Sequence, residues 1–248
     1  GNQQVCENQF QPGFTAWGAF AEYVAIDYAD ENLVRLPDSM SFDTAASLGC
    51  RFVTAFRAVV DRGKLAPGEW IAVHGAGGLG LSAVMVAVAC GARVIAVDIK
   101  ENALELARAF GAEHTLNART VTDIPHAVRD LTGGGAHVGI DALGSPLTAS
   151  NSVLSLRRRG THVQAGLLLG DESRPPLPMA PVVAYELTIV GSHGIQAHRY
   201  PDLFALIQSG ALSPERLITR RIALDDAGET LATMDRFETD GIALITRF

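Results

Sequence analysis

The stretch Gly75-Ala76-Gly77-Gly78-Leu79-Gly80 constrains this chain more than any other. It reads G-x-G-x-x-G, and its surroundings give the pattern meaning. An apolar run, Trp70 to Val73, leads into it, and a long apolar segment from Leu81 to Cys90 follows. A second apolar run, Val94 to Val97, then ends in Asp98. That is the order of a dinucleotide-binding βαβ unit. Gly75 lets the chain turn sharply off the strand, and Gly77 has no Cβ to hold the backbone away from a diphosphate. Gly80 lets helix and strand pack closely. The free N–H groups at the start of the helix, Gly78 and Leu79 among them, sit at the positive end of its dipole and face an anion. Asp98 falls about 20 residues on, where a carboxylate accepts the hydroxyls of an adenosine ribose. A glycine-rich turn followed by an ordinary capping aspartate is the alternative, and the strand–turn–helix–strand context argues against it.

The carboxylate also discriminates between cofactors. A 2′-phosphate would meet Asp98 with like charge, and Ile99, Lys100 and Glu101 supply no arginine to receive it. NAD is therefore expected over NADP. Lys100 leaves two options open, since its ammonium can lean towards a phosphate or help hold the ribose.

With 248 residues the chain can bury a sizeable core, in one large domain or two small ones. Its hydrophobic share of 48% and its 25 glycines fit an α/β enzyme and exclude a disordered chain. A net charge of −7, with no basic run beyond Arg157-Arg158-Arg159, argues against nucleic acid as a partner. Leu79 to Val97 is broken by Gly91 and Arg93, so no membrane span is expected. Cys6, Cys50 and Cys90 are too far apart to suggest a disulfide framework, and no signal peptide is evident, which points to the cytoplasm. The chain opens on Gly1 with a polar, irregular segment, as a fragment or a processed chain would.

Read in order, residues 1–15 are loop, and Ala19–Ala25 and Asn32–Arg35 are expected as short strands. Ser41 or Asp43 caps a helix through Ala45 and Ala46. A helical pattern follows from Phe52 to Arg62. After the first βαβ unit come a helix over Asn102–Phe110, a strand at His114–Leu116 and a helix over Asp123–Leu131. The next strand is Val138–Leu143, and Pro146 opens a helix over Leu147–Leu156. The arginine run that follows reads as a solvated helix end favoured by the dipole. Strands are expected at Thr161–Ala165 and Glu186–Val190, with a proline-rich loop at Gly170–Pro181. Six strands with intervening helices predict a doubly wound parallel sheet, whose ligands lie over the carboxyl ends of its strands. One rim then comprises Gly75–Gly80, Asp98, Ala142–Gly144, Gly166–Leu167 and Gly191–Ser192. Beyond His193, a helix at Pro201–Gln208, a strand at Leu217–Ile222, an amphipathic helix at Asp225–Phe237 and a strand at Gly241–Thr246 do not extend that sheet.

Several segments together resemble the zinc-dependent alcohol dehydrogenases of the medium-chain dehydrogenase/reductase superfamily. Gly18-Ala19-Phe20-Ala21-Glu22-Tyr23 is similar to the segment closing that family's catalytic domain. Ala45-Ala46-Ser47-Leu48-Gly49-Cys50, with Thr54 and Ala55, resembles its crossing into the cofactor domain. Gly75 to Gly80 and Val190-Gly191-Ser192 match its fingerprint and its last cofactor-domain strand. The resemblance implies that Cys50 is a ligand of a catalytic zinc, with a fourth position open to an alcohol oxygen. It also implies that Thr54 contacts the nicotinamide and that Cys6 is the last of four cysteines in a structural-zinc loop. The family's other ligands are absent from this sequence. Either an N-terminal portion is missing or the metals have been lost, and the opening inside the cysteine loop favours the first. Cys90 reads as packing, and the seven histidines show no metal-ligand spacing. His74 reads as a strand-end residue and Asp141 as structural. His193 and His198 fall near the rim, as candidates to touch the nicotinamide or the substrate.

The expected fold is α/β, a Rossmann-type doubly wound parallel sheet with remnants of a GroES-like catalytic domain at both ends. Residues 1–50 would close the catalytic domain, 51–194 would form the NAD-binding domain, and 195–248 would return to the catalytic domain. The resemblance implies NAD-dependent, zinc-assisted oxidation of a small alcohol to an aldehyde or ketone, in a homodimer or homotetramer. The rim residues expected at the cofactor are Thr54, Gly75, Gly77, Gly78, Leu79, Gly80, Asp98, Lys100, Ala142, Gly166, Leu167 and Gly191. Two rivals stand beside this reading: a zinc-free quinone or enoyl reductase of the same superfamily, and a non-catalytic NAD-binding module.

Overall fold

The computed structural model describes residues 1–234 and 241–248. The chain divides into two units, one of Cys50–His193 and one of Gly1–Gly49 with Gly194–Phe248.

The Gly1–Gly49 segment holds two short helices, α1 (Ala29–Asn32) and α2 (Phe42–Ser47). Neither strand expected there forms. Ala19–Ala25 runs without a ladder partner among the described residues. Tyr28 takes a left-handed φ of 52° and turns the chain into α1. The Asn32 side chain then closes that turn, Nδ2 donating to the carbonyls of Asp27 at 3.0 Å and Tyr28 at 3.2 Å. Such local side-chain bonds compete directly with a strand ladder. At α2 the cap is Ser41, whose Oγ accepts from Thr44 N at 3.1 Å. Asp43 instead pairs with Arg221 at 2.7 Å, within the same unit.

The central unit starts with α3 (Cys50–Phe56), which passes into a wider π-type turn over Arg57–Arg62 where one continuous α-helix was expected. Gly63 ends it, donating to Ala58 O at 2.7 Å. Then β1 (Trp70–His74), α4 (Gly78–Ala89), β2 (Arg93–Asp98), α5 (Glu101–Ala109) and β3 (His114–Asn117) alternate. They are followed by α6 (Ile124–Thr132), β4 (Ala136–Asp141), α7 (Pro146–Leu154), β5 (Leu156–Gln164), α8 (Met179–Ala184) and β6 (Thr188–Gly191). The six strands form one parallel sheet in the order β3-β2-β1-β4-β5-β6. This is the doubly wound Rossmann arrangement, with its switch point between β1 and β4. Every residue of β1 is buried, as a central strand covered on both faces requires. α4 is buried along most of its length, which is why its sequence is apolar on every side.

Two expectations change here. Arg157, Arg158 and Arg159 do not end a helix; they open β5. α7 stops at Ser155, Leu156 pairs with Ala136, and Arg159 at φ 61° donates to Tyr185 O at 2.8 Å. Arg157 reaches His137 Nε2 at 2.6 Å, so the run is fixed by neighbours in the sheet and not by a helix dipole. The proline-rich stretch is also partly helical, with a 3-10 turn at Gly170–Ser173 and α8.

The Gly194–Phe248 segment adds α9 (Tyr200–Gln208), β7 (Ile218–Ala223), α10 (Ala227–Ala232) and β8 (Ile242–Arg247). β7 and β8 pair in parallel as a separate two-stranded sheet. Leu203, Phe204, Leu212, Leu217, Ile222, Ala227 and Leu244 are buried in this unit. The helix expected to run to Phe237 is described only as α10, and residues 235–237 lie outside the described residues. Among the described residues no helix is long and apolar enough to cross a membrane.

Candidate cofactor site

The strand-to-helix turn after β1 carries the densest set of constraints. Gly75 has a φ of 96°, a left-handed value that favours glycine, and its N–H donates to Val97 O at 2.8 Å. A Cβ on Gly80 would run into the Gly75 carbonyl, so strand and helix touch backbone to backbone there. Gly77 differs from both. It is the extended residue before α4, and a Cβ built on it meets no heavy atom within 4 Å. The missing side chain at Gly77 therefore leaves free space directly before the first turn of a 12-residue helix. That turn holds no acidic residue to occupy its N–H groups.

Asp98, at the tip of β2, is tied to this turn. Its Oδ2 accepts from Ala76 N at 2.6 Å and its Oδ1 from Lys100 N at 2.9 Å. A carboxylate has about four lone-pair sites, so two bonds leave acceptor capacity for a ligand. The tether was not foreseen in the sequence. Asp98 shapes the glycine turn as well as ending the strand.

The remaining rim glycines serve their neighbours. Gly75 would place a Cβ 3.1 Å from Leu143 Cβ, and Gly166 would place one 2.5 Å from the Leu143 carbonyl carbon. Gly144, at φ 91°, abuts the Leu167 backbone. The loops after β4 and β5 thus pack backbone against backbone, with Ala142 half-buried between them and the side chains of Leu143 and Leu167 exposed. Gly191, like Gly77, has open space around it, and its carbonyl accepts from Arg62 Nε at 2.9 Å.

Beneath this rim runs a largely buried polar chain drawn from β4, β5 and α7. Asp141, fully buried at the end of β4, accepts from Leu143 N at 3.0 Å and Gly144 N at 2.9 Å through Oδ1. Its Oδ2 accepts from Gln164 Nε2 at 2.8 Å. The same amide nitrogen reaches Gly166 O at 2.9 Å, and Gln164 Oε1 meets His162 Nε2 at 3.2 Å. His162 Nδ1 in turn meets Ser152 Oγ at 2.8 Å on α7. One network therefore pins both strand-end loops. The signal available in sequence was the polar pair His162 and Gln164, two apart and so on one face of the strand, on either side of Val163.

His74 lies beside Asp141 in strand register and is buried, with neither ring nitrogen bonded among the described residues. Burial lowers its pKa from 6.5 to about 4, outweighing the attraction of Asp141, and His162 pushes it the same way. Burial also lowers the pKa of His162. Because these folded-state values lie below the unfolded value, the unfolded chain takes up protons first as the pH falls. His74 alone should lower stability by about 3 kcal/mol between pH 6.5 and 4, at about 1.4 kcal/mol per pKa unit, with no contribution above that window. Urea denaturation at a series of pH values would show this loss, and His74→Leu should flatten the slope. An unchanged slope in the variant would contradict the assignment.

The residues of α3 are less crowded. Thr54 is buried and its hydroxyl is without a hydrogen-bond partner among the described residues. Cys50 is exposed at the start of the helix, and Cys6 is exposed in the other unit. No group of three or more His, Cys, Asp or Glu side chains capable of holding a metal occurs among the described residues. A single thiol is not the set of three or four protein donors that a zinc site requires. The donors present here therefore do not fit a zinc ion. His193 and His198, expected near the rim, fall in different units and are both exposed.

Comparison with known proteins decides the family. The family model described as zinc-binding dehydrogenase matches residues 78–209, more than half of the chain. The chain belongs to the zinc-binding dehydrogenase family. It is 31% identical over 243 residues to an NAD-dependent alcohol dehydrogenase of Sulfurisphaera tokodaii, covering 97% of this chain and 68% of that protein. It is 35% identical over 194 residues to an alcohol dehydrogenase of Geobacillus stearothermophilus, covering 77% of this chain and 55% of that protein. A solved alcohol dehydrogenase from Thermus sp. ATN1 superposes with a TM-score of 0.86 at 30% identity, over 95% of this chain and 68% of that one. The alcohol dehydrogenase of Aeropyrum pernix gives 0.84 at 31% identity, over 98% and 70%. The chain thus spans between about half and two thirds of the length of these curated relatives.

Proposed function

We propose that this chain binds NAD across the rim of the six-stranded sheet and serves the reversible oxidation of a small alcohol to an aldehyde or ketone. The observation that carries the reading is the space before α4 at Gly77, flanked by a carboxylate, Asp98, already fixed against the same turn. The N–H groups of Gly78 and Leu79 would take the diphosphate, and Gly75 and Gly80 keep the turn tight enough to present them. Asp98 would accept the ribose hydroxyls and repel a 2′-phosphate, with Lys100 beside it to balance charge. The backbones at Ala142, Gly166, Leu167 and Gly191 would border the nicotinamide half, and the unpartnered Thr54 hydroxyl would take one of its polar groups. Bound NAD supplies a hydride acceptor. Cys50, expected at a catalytic zinc, and Cys6, expected at a structural zinc, each supply one sulfur only. A catalytic zinc of that kind needs two further protein donors and a structural zinc three, and the described residues assemble neither set. The alcohol dehydrogenases similar to this chain support an alcohol or aldehyde substrate, and a homodimer or homotetramer is the expected assembly.

The lone Cys50 favours keeping a second reading, a zinc-free reductase or a non-catalytic NAD-binding module. One assay separates them: NADH formation with a panel of small primary and secondary alcohols, with zinc content determined on the same sample. Alcohol-dependent NADH formation is the expected result. NADPH-dependent reduction of a quinone or enone would replace the proposal with the reductase. NAD binding without turnover, with zinc added, would replace it with the non-catalytic module.

A further inference from the structure

The residue that most demands a ligand is one that no motif marks. Arg51 is the second residue of α3, and its side chain lies across the first turn of α4. A Cβ on Gly78 would stand 2.7 Å from Arg51 Cδ, 3.0 Å from Nη1 and 3.4 Å from Nε. The side chain is half-buried, and it has no ion pair or hydrogen bond among the described residues. A guanidinium in this place is electrostatically misplaced. The N-terminus of a helix carries partial positive charge and disfavours a cation. No acidic residue occupies the first turn of α4, and Asp98, the carboxylate tied to this turn, has its two bonds on backbone N–H groups. An unpaired cation held against a positive helix end, beside the open space at Gly77, is the charge pattern of a site that lacks its anion.

We infer that Arg51 binds the diphosphate of the bound dinucleotide beside the α4 N–H groups. Its planar fork of donors suits phosphate oxygens, and a diphosphate would neutralise both the guanidinium and the helix end. The inference rests on the cofactor reading above and adds a residue to it. Arg51 is also placed by the chain itself: Phe52, Val53, Ala55 and Phe56 bury α3 and so fix where its first turn projects.

The test is calorimetric titration of the full chain and of Arg51→Gln and Arg51→Lys with NAD, ADP-ribose and adenosine. Charge-assisted hydrogen bonds contribute enough that their loss weakens binding by about ten- to a hundredfold. Arg51→Gln should lose that much affinity for NAD and ADP-ribose and none for adenosine, which has no phosphate. Its affinity for NAD should also fall less steeply with added salt than that of the unsubstituted chain. Arg51→Lys should recover part of the loss. Unchanged NAD affinity in Arg51→Gln would overturn the role of Arg51 while leaving the cofactor site intact. Equal losses for all three ligands would also overturn it, because they would mark general damage to the turn. An unsubstituted chain that binds none of the three would overturn the cofactor reading itself.

Discussion

Replacing Asp141 with leucine should destabilise the Cys50–His193 unit by about 3 kcal/mol or more. The reason is a count of stranded donors. Asp141 accepts from Leu143 N, Gly144 N and Gln164 Nε2 in a fully buried position. Removing it leaves the Leu143 and Gly144 N–H groups without an acceptor and the Gln164 amide with only Gly166 O, and each buried group so stranded costs about 1–3 kcal/mol. Asp141→Asn should cost less, because its carbonyl oxygen can still accept from the two backbone N–H groups and the Gln164 amide can rotate. Urea denaturation followed by circular dichroism would measure both. The substitution should also reach the rim, since the loops at Leu143–Gly144 and Gly166 lose their common anchor. NAD affinity should therefore fall in Asp141→Leu even where the variant is fully folded. A leucine variant as stable as the original would mean that the network contributes nothing.

The second large effect is expected at Asp98. In Asp98→Asn the side chain keeps its shape and one acceptor oxygen, which can hold the glycine turn through Ala76 N, but it loses its charge. NAD affinity should drop about tenfold, the share of a charge-assisted hydrogen bond to the ribose. NADP affinity should hold steady or rise, because the like charge facing its 2′-phosphate is gone. Measured as a ratio, the preference for NAD should collapse. A variant that loses both cofactors equally would show that Asp98 acts through the turn and does not read the ribose.

How much of this could be read in the sequence depended on whether the signal was local. The fingerprint turn, its helix and the strand ending at Asp98 are encoded within fewer than thirty consecutive residues, Trp70 to Asp98, and the parallel sheet follows from alternating apolar runs. Pro146, Gly111 and Asp123 marked helix ends close to where the chain puts them, because capping is settled within one turn. The misread places are those decided by distant partners. Ala19–Ala25 has strand-like residues, but a strand also needs a neighbour. The three arginines after α7 look like a helix end until the pairing of Leu156 with Ala136 draws them into β5. Likewise, the link from Ser152 through His162 and Gln164 to Asp141 joins residues from three elements, and Arg51 acquires meaning only from lying over Gly78. The rim glycines carry a further lesson. Gly144 and Gly166 are required by each other's backbones, so a glycine at a strand end does not by itself mark a ligand.

The most direct measurement is an equilibrium titration of the intact chain with NAD and, in parallel, with NADP, followed by calorimetry. The account predicts saturable one-to-one binding of NAD in the micromolar to millimolar range usual for such cofactors, with NADP weaker by about tenfold or more. Absence of saturable NAD binding, or tighter binding of NADP, would contradict it.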